Sequence, residues 1–213
     1  MKLRPSGSKG PVAVSFQAFE TYHAGEAETW EHMALTRARV VWSSSAAFGT
    51  AVGEVLEDVL RRPRVAAQIL QDVLEMRDLM ARERPPRGDW DLKLSPGGFV
   101  DIEFAAQYLQ LIHGAEGGPL AQNTAEVLAA LSDGGLAPAD AVKDLLAAWT
   151  LQQNLTQLLK VALPDGDDPE SEPKAFRTLL ARAGQARDIR GLKTRLAAAR
   201  LKARRAYDII LPS

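Results

Sequence analysis

The chain has 213 residues, 46% of them hydrophobic and 25% charged, with a formal net charge of −1 at pH 7. That length suits one soluble domain or somewhat more, with enough apolar material for a core, and the near-neutral balance removes any general attraction to nucleic acid or anionic lipid. The chain contains no cysteine, which excludes disulfides, thiolate zinc sites and cysteine nucleophiles and is compatible with a reducing cytoplasm.

No apolar run approaches the roughly 20 residues of a bilayer span. The opening Met1-Lys2-Leu3-Arg4-Pro5 lacks the hydrophobic block of a signal peptide. Pro5, Gly7, Gly10 and Pro11 make residues 1–15 a loop, with a short extended stretch at Val12-Ala13-Val14. A lone strand cannot pair its own backbone, so this stretch is either loop or the remnant of a sheet whose other strands precede it. From Phe16 the pattern is helical: Phe16, Phe19 and His23 share a face, and a second helix is expected over about Glu26 to Arg37. Ser43 to Ser45 offer a cap for a helix carrying Phe48, Val52, Val55 and Val59. After Pro63, a further stripe holds Val65, Ile69, Val73, Met76 and Met80. Residues 83–98, with Pro85, Pro86, Gly88, Pro96, Gly97 and Gly98, cannot continue it.

A new helix is expected near Phe99 or Asp101, with Ile102, Ala105, Leu109 and Ile112 inward, ending at Gly117-Gly118-Pro119. A shorter one spans about Thr124 to Leu131. Pro138 opens a long helix through Val142, Leu145, Leu146 and Trp149 to about Ala162. Residues 164–173 are acidic and proline-rich and read as a mobile loop, and two last helices occupy about 174–184 and 188–209. The expected fold is an all-α helical bundle with a short N-terminal loop or strand remnant of an upstream sheet domain. Residues 1–42 hold the remnant and connecting helices, and residues 43–213 the bundle.

Several motifs carry more than one reading. Arg4-Pro5-Ser6-Gly7-Ser8-Lys9-Gly10 could cradle an anion with its backbone amides and cations, or be a surface turn; it is not a P-loop. Arg37 is expected to share a face with Trp30 and Met33, while Glu31 and Arg39 are expected to be solvated or paired at the surface, which contributes little. In Lys93-Leu94-Ser95-Pro96-Gly97-Gly98-Phe99-Val100-Asp101-Ile102-Glu103-Phe104, Asp101 and Glu103 sit in a first helical turn, where the macrodipole favours acids for purely structural reasons. The functional alternative has Lys93 and the glycine backbone meeting a nucleotide, while Asp101 or Glu103 holds a metal or orients a base or an arginine. Glu103, Gln107 and Gln110 would share one polar face. His23, His32 and His113 lack metal-ligand spacing, and Asp165-Gly166-Asp167-Asp168 lacks the closing glutamate of a calcium loop. Arg187 to Arg205 carries eight basic residues against one acid, spread around the helix; a solvated or partner-facing helix fits this better than nucleic-acid binding.

Taken in order, Leu3-Arg4-Pro5-Ser6-Gly7-Ser8-Lys9-Gly10-Pro11, Thr29-Trp30-Glu31-His32-Met33-Ala34-Leu35-Thr36-Arg37-Ala38-Arg39, and Pro96 to Phe104 with Gln107-Tyr108-Leu109 resemble the glutamine synthetase adenylyltransferase family across essentially the whole chain. The Gly97-Gly98-x-x-Asp101-Ile102-Glu103-Phe104 block resembles the signature of its helical domain, which is similar to that of the PII uridylyltransferases. Glu28 departs from the pattern, where the family usually has a bulky aromatic.

The resemblance implies large cytoplasmic enzymes of two nucleotidyltransferase units. The C-terminal unit, to which this chain would belong, passes AMP from ATP to a tyrosine of glutamine synthetase. It implies Mg2+ and ATP in the intact enzyme, with neither tightly held here, and glutamine synthetase as partner, with the PII protein as a further one. Neither nucleic acid nor membrane is expected as a partner. Such chemistry needs metal-holding carboxylates, and the family pattern puts the last of them one position before Met1, so no catalytic or metal-ligating residue is expected in this chain, which would be inactive alone. Arg4, Ser6 and Lys9 would flank the triphosphate. Lys93, Gly97, Gly98, Asp101 and Glu103 would line the facing wall of the cleft, and Arg37 and Arg39 would support that wall or meet phosphate. The alternative is a non-catalytic interaction module that binds glutamine synthetase or a PII protein.

Overall fold

A computed structural model describes residues 13–164 and 167–212. Among these residues it contains nine α-helices and no strand. Val12, the start of the expected extended stretch, lies outside the described residues, and Ala13 and Val14 adopt no regular structure. No helix among the described residues is long and apolar enough to cross a membrane.

Local chemistry sets the helix boundaries. The Ser15 hydroxyl accepts the Ala18 N–H at 3.2 Å and opens α1 (Phe16–Gly25). Helix α2 (Thr29–Leu35) is shorter than the expected span of Glu26 to Arg37. Glu31 reaches back to the Glu28 N–H at 3.1 Å and fixes its start, while the Thr36 hydroxyl takes up the Met33 carbonyl at 2.7 Å and ends it. Ser45 caps α3 (Ala46–Leu60), and α4 (Ala66–Glu83) follows Pro63. After an irregular stretch comes α5 (Phe99–His113), then one turn of 3-10 helix ending at Gly117, whose φ is +80°. Asn123 caps α6 (Thr124–Asp133), and Pro138 precedes α7 (Ala139–Ala162). The chain then forms α8 (Lys174–Ala183) and α9 (Ile189–Ile210), the latter capped by Asp188.

These helices form two compact units. One comprises the chain to Met76 with Ala106–Leu136, the other Arg77–Ala105 with Ala137 onward. In the first, α1 and α2 pack on α3, and Met33, Leu35, Val59, Leu60, Val127, Leu128 and Leu131 are buried. Glu31, expected at the surface, is only 3% exposed. Its carboxylate accepts the Tyr22 hydroxyl at 2.8 and 3.0 Å, so the buried oxygens are satisfied by hydrogen bonds within the protein. Gln107 and Gln110, expected to share one polar face with Glu103, are both buried, and Gln110 Oε1 accepts the Ala121 N–H at 3.1 Å.

In the second unit, α7 lies along α9 and α8 packs against both. Leu92, Leu151, Leu155, Leu180, Leu192 and Leu196 form its apolar centre, with Trp90, Phe99 and Phe176 against it. The acidic stretch expected to be a loop forms turns at residues 169–171, whereas Asp165 and Gly166 lie outside the described residues. Glu170 anchors the stretch: its carboxylate accepts Trp90 Nε1–H at 3.1 Å and pairs with Lys193 at 2.7 Å.

Two imidazoles make the first unit sensitive to acid. Burial, with Arg64 nearby, lowers His32 from 6.5 to about 4, and burial also lowers His23. Both are therefore favoured neutral in the fold. Below pH ~6.5 the unfolded chain takes up protons that the folded chain resists, so stability falls as the pH drops from about 6.5 towards 4. Urea unfolding at pH 7.5 and 5 is expected to show this loss, and His32→Gln to reduce it; an unchanged midpoint between the two pH values would contradict it.

Candidate functional site

The Pro96-Gly97-Gly98 turn and the first turn of α5 form a closed hydrogen-bonded knot around one carboxylate. Asp101 is 0% exposed. Its Oδ1 accepts Arg77 Nε–H at 2.5 Å, and its Oδ2 accepts the Gly97 N–H at 2.7 Å and Arg204 Nη1–H at 3.3 Å. Arg77 also donates to the Leu94 carbonyl at 3.2 Å. The first amides of α5 are taken up by the loop before it: Phe99 N–H bonds the Leu92 carbonyl at 2.9 Å and Val100 N–H the Lys93 carbonyl at 3.1 Å. The helix start thus has its otherwise unsatisfied donors met from within.

Glycine is required at the turn. Gly97 has φ +74°, and a Cβ there would lie 2.0 Å from the Arg200 carbonyl oxygen. The Gly97 carbonyl accepts Gln152 Nε2–H at 3.1 Å, so α7 and α9 both reach the same residue. A Cβ on Gly98 would lie 2.7 Å from the carbonyl oxygens of Leu92 and Ser95.

Helix α9 holds the preceding loop as well. Arg200, one turn before Arg204, donates to the carbonyls of Asp89 at 2.7 Å and Asp91 at 2.8 Å. Burial pushes the Arg200 guanidinium below its ordinary value, with Asp91 and Asp89 opposing. For Arg204, burial works downward, but Asp101 and Asp208 outweigh it and the value is raised. Burial and the Asp101 charge raise the Tyr207 hydroxyl, whose ring lies 4.6 Å beneath the Arg204 guanidinium. Asp89-Trp90-Asp91 spells an Asp-x-Asp pattern, yet both side chains are engaged. Asp91 accepts the backbone N–H groups of Arg87, Lys93 and Leu94, and Asp89 pairs with Lys193 at 3.1 Å.

The structure therefore gathers Gly97, Gly98 and Asp101 into one buried knot and leaves Lys93 exposed on the clamped loop, with Glu103 half-buried on α5. Arg37 and Arg39 belong to the other unit, exposed on the segment after α2. Arg4, Ser6 and Lys9 lie outside the described residues. Of the alternatives for Asp101, orienting an arginine is the one its contacts realise. Among the described residues no group of three or more acidic or histidine side chains stands where it could hold a metal ion. Arg77, Arg200, Arg204 and Gln152 were not singled out from the sequence. The available signal was register: Arg77 follows buried Val73 by four residues, and Arg200 and Arg204 continue the step of four from Leu192 and Leu196.

Comparison with known proteins gives a consistent picture. A family model described as glutamate-ammonia ligase adenylyltransferase matches residues 1–54, and one described as GlnD PII-uridylyltransferase matches residues 64–169. The bifunctional glutamine synthetase adenylyltransferase/adenylyl-removing enzyme of Caulobacter vibrioides is 60% identical over 211 residues, covering 99% of this chain and 21% of that protein. Proteins of the same description are 44% identical over 213 residues in Bradyrhizobium diazoefficiens and 42% over 208 in Brucella suis, again covering 21% of the relative and 99% and 98% of this chain. The chain thus spans about a fifth of the length of the curated relatives it matches.

The knot has a measurable energetic signature. Asp101→Ala leaves two arginines facing a buried void and is expected to cost about 3–5 kcal/mol, and Gly97→Ala about 2–4 kcal/mol from strain and overlap. Urea denaturation checks both; a loss under about 1 kcal/mol for Asp101→Ala would show that the carboxylate does not hold the turn.

Proposed function

The chain belongs to the glutamine synthetase adenylyltransferase family, and on that premise we propose that it forms the helical, nucleotide-facing part of an enzyme that transfers AMP from ATP to a tyrosine of glutamine synthetase in the cytoplasm. The observation that carries this reading is the clamped loop that presents Lys93 outward, above the buried Gly97–Asp101 knot. An exposed cation on a rigid loop suits a phosphate, because positioning is prepaid by the scaffold and the charge is available to the ligand.

In this proposal Lys93 meets the nucleotide phosphates and Glu103 lines the same surface. Gly97, Gly98 and Asp101 act by shape, since their polar groups already bond one another, nearby backbone or the side chains of Arg77, Arg204 and Gln152. Arg37 and Arg39, on the other unit, are separate candidates for phosphate contact, as are Arg4, Ser6 and Lys9. Mg2+ and ATP belong to the intact enzyme. The described residues offer no ligand cluster for the metal, so its coordination is assigned to none of them, and the chain alone is proposed to be inactive. The PII protein is proposed as a regulatory partner.

A second reading, a non-catalytic module that binds glutamine synthetase or a PII protein, draws support from α9. There Leu201 and Ile209 are exposed beside Lys202 and Arg205, a mixed face of the kind that docks on another protein.

The purified chain with ATP, Mg2+ and glutamine synthetase is expected to transfer no AMP; transfer would refute the inactivity. Substituted for the matching segment of the Caulobacter relative, it is expected to support transfer, and Lys93→Ala there to raise KM for ATP or lower kcat/KM about tenfold, the loss of about 1.4 kcal/mol of charge-assisted contact. Kinetics unchanged by Lys93→Ala would remove the phosphate role, and tight binding to glutamine synthetase without transfer in either form would favour the second reading.

A further inference from the structure

The first unit leaves several apolar side chains exposed around the start of α3. The stripe Phe48, Val52, Val55, Val59 runs from solvent into the core: Val59 is completely buried, Val55 and Val52 are half-buried, and Phe48 is 45% exposed. The edge of the Phe16 ring meets the Phe48 ring, with centroids 5.7 Å apart. The segment between α2 and α3 lies alongside: a Cβ on Gly49 would fall 2.9 Å from Ser43 Oγ and 3.8 Å from a Val40 methyl. On that segment Val41 is 83% and Trp42 81% exposed, and Val14 is exposed before α1. The Ser43 hydroxyl bonds the Ser45 carbonyl at 2.8 Å, which ties the segment to the helix start beside the two side chains it displays.

A tryptophan and a valine held almost wholly in water, next to an apolar helix stripe whose cover thins towards them, mark a surface that another surface completes. We propose that Val14, Val41, Trp42 and Phe48 form an intramolecular docking surface for the polypeptide that the family carries outside the segment matched here. Two observations select this occupant. All four residues lie within residues 1–54, the span of the adenylyltransferase family model, whereas the bundle from residue 64 matches a different one. About four-fifths of each curated relative lies outside the matched segment, ample chain to supply an apolar counterpart. Arg39, exposed two residues before Val41, calls for a counterpart with acidic residues around its apolar centre. The proposal rests on family membership and not on AMP transfer, and its test reads no activity.

Hydroxyl-radical footprinting compares the isolated chain with a chimera in which it replaces the matching segment of the Caulobacter relative. Trp42 is expected to be modified at least fivefold more slowly in the chimera, and equal rates would overturn the proposal. As a second measurement, the remainder of the relative, supplied as a separate polypeptide, is expected to bind the chain, and Trp42→Ser to weaken that binding at least tenfold. Binding indifferent to Trp42→Ser would overturn it too. Concentration-dependent self-association that protects Trp42 in the isolated chain would assign the surface to a second copy, and protection gained only on anionic phospholipid vesicles would assign it to a membrane. Either result refutes the proposal.

Discussion

A single buried carboxylate, held between two arginines and a glycine amide, fixes the geometry around which the second unit is built. Burying a charge costs several kcal/mol unless its partners replace the lost hydration, and here three donors from different parts of the chain do so. Arg77 comes from α4, Gly97 from the turn and Arg204 from α9, so the bonds form together only when these segments are in register. A buried pair of this kind adds little net stability compared with apolar packing, but it penalises heavily any arrangement that separates the partners. Its contribution is to specify one position for the loop before α5.

That constraint reaches the surface. Once Arg200 holds the carbonyls of Asp89 and Asp91, and Asp91 caps the amides of Lys93 and Leu94, the loop has little backbone freedom left, and Lys93 is exposed on it. The Gly97-Gly98-x-x-Asp101 block therefore has a physical meaning that needs no ligand. The first glycine supplies a left-handed turn that meets the Arg200 backbone, the second lets the loop carbonyls close over the helix start, and the aspartate ties both to α9. In the proposed function these three residues shape the surface, and the residues beside them touch the nucleotide.

Much of this fold was legible in the sequence because the signals were local. Ser45, within the expected cap, opens a helix whose apolar residues recur at three and four, and the Pro and Gly cluster of residues 83–98 ends one helix and delays the next. What was not legible depends on tertiary burial. Glu31 looks solvated until Tyr22 is folded over it, and the arginines of α9 look like a basic surface until Arg200 and Arg204 are seen to face inward. A period of four shared with leucines is a weak pointer to a buried arginine, because long charged side chains also occupy such positions with their heads in water.

The account stands or falls on whether the knot is closed in solution, and amide hydrogen exchange of Gly97, Phe99 and Val100 reads that directly. If the carboxylate and loop carbonyls hold these amides, they exchange as slowly as core amides of α7 such as Leu151 and Leu155, opening only with the whole unit. Exchange at the rate of an exposed loop would contradict the closed knot and the fixed position of Lys93 that follows from it.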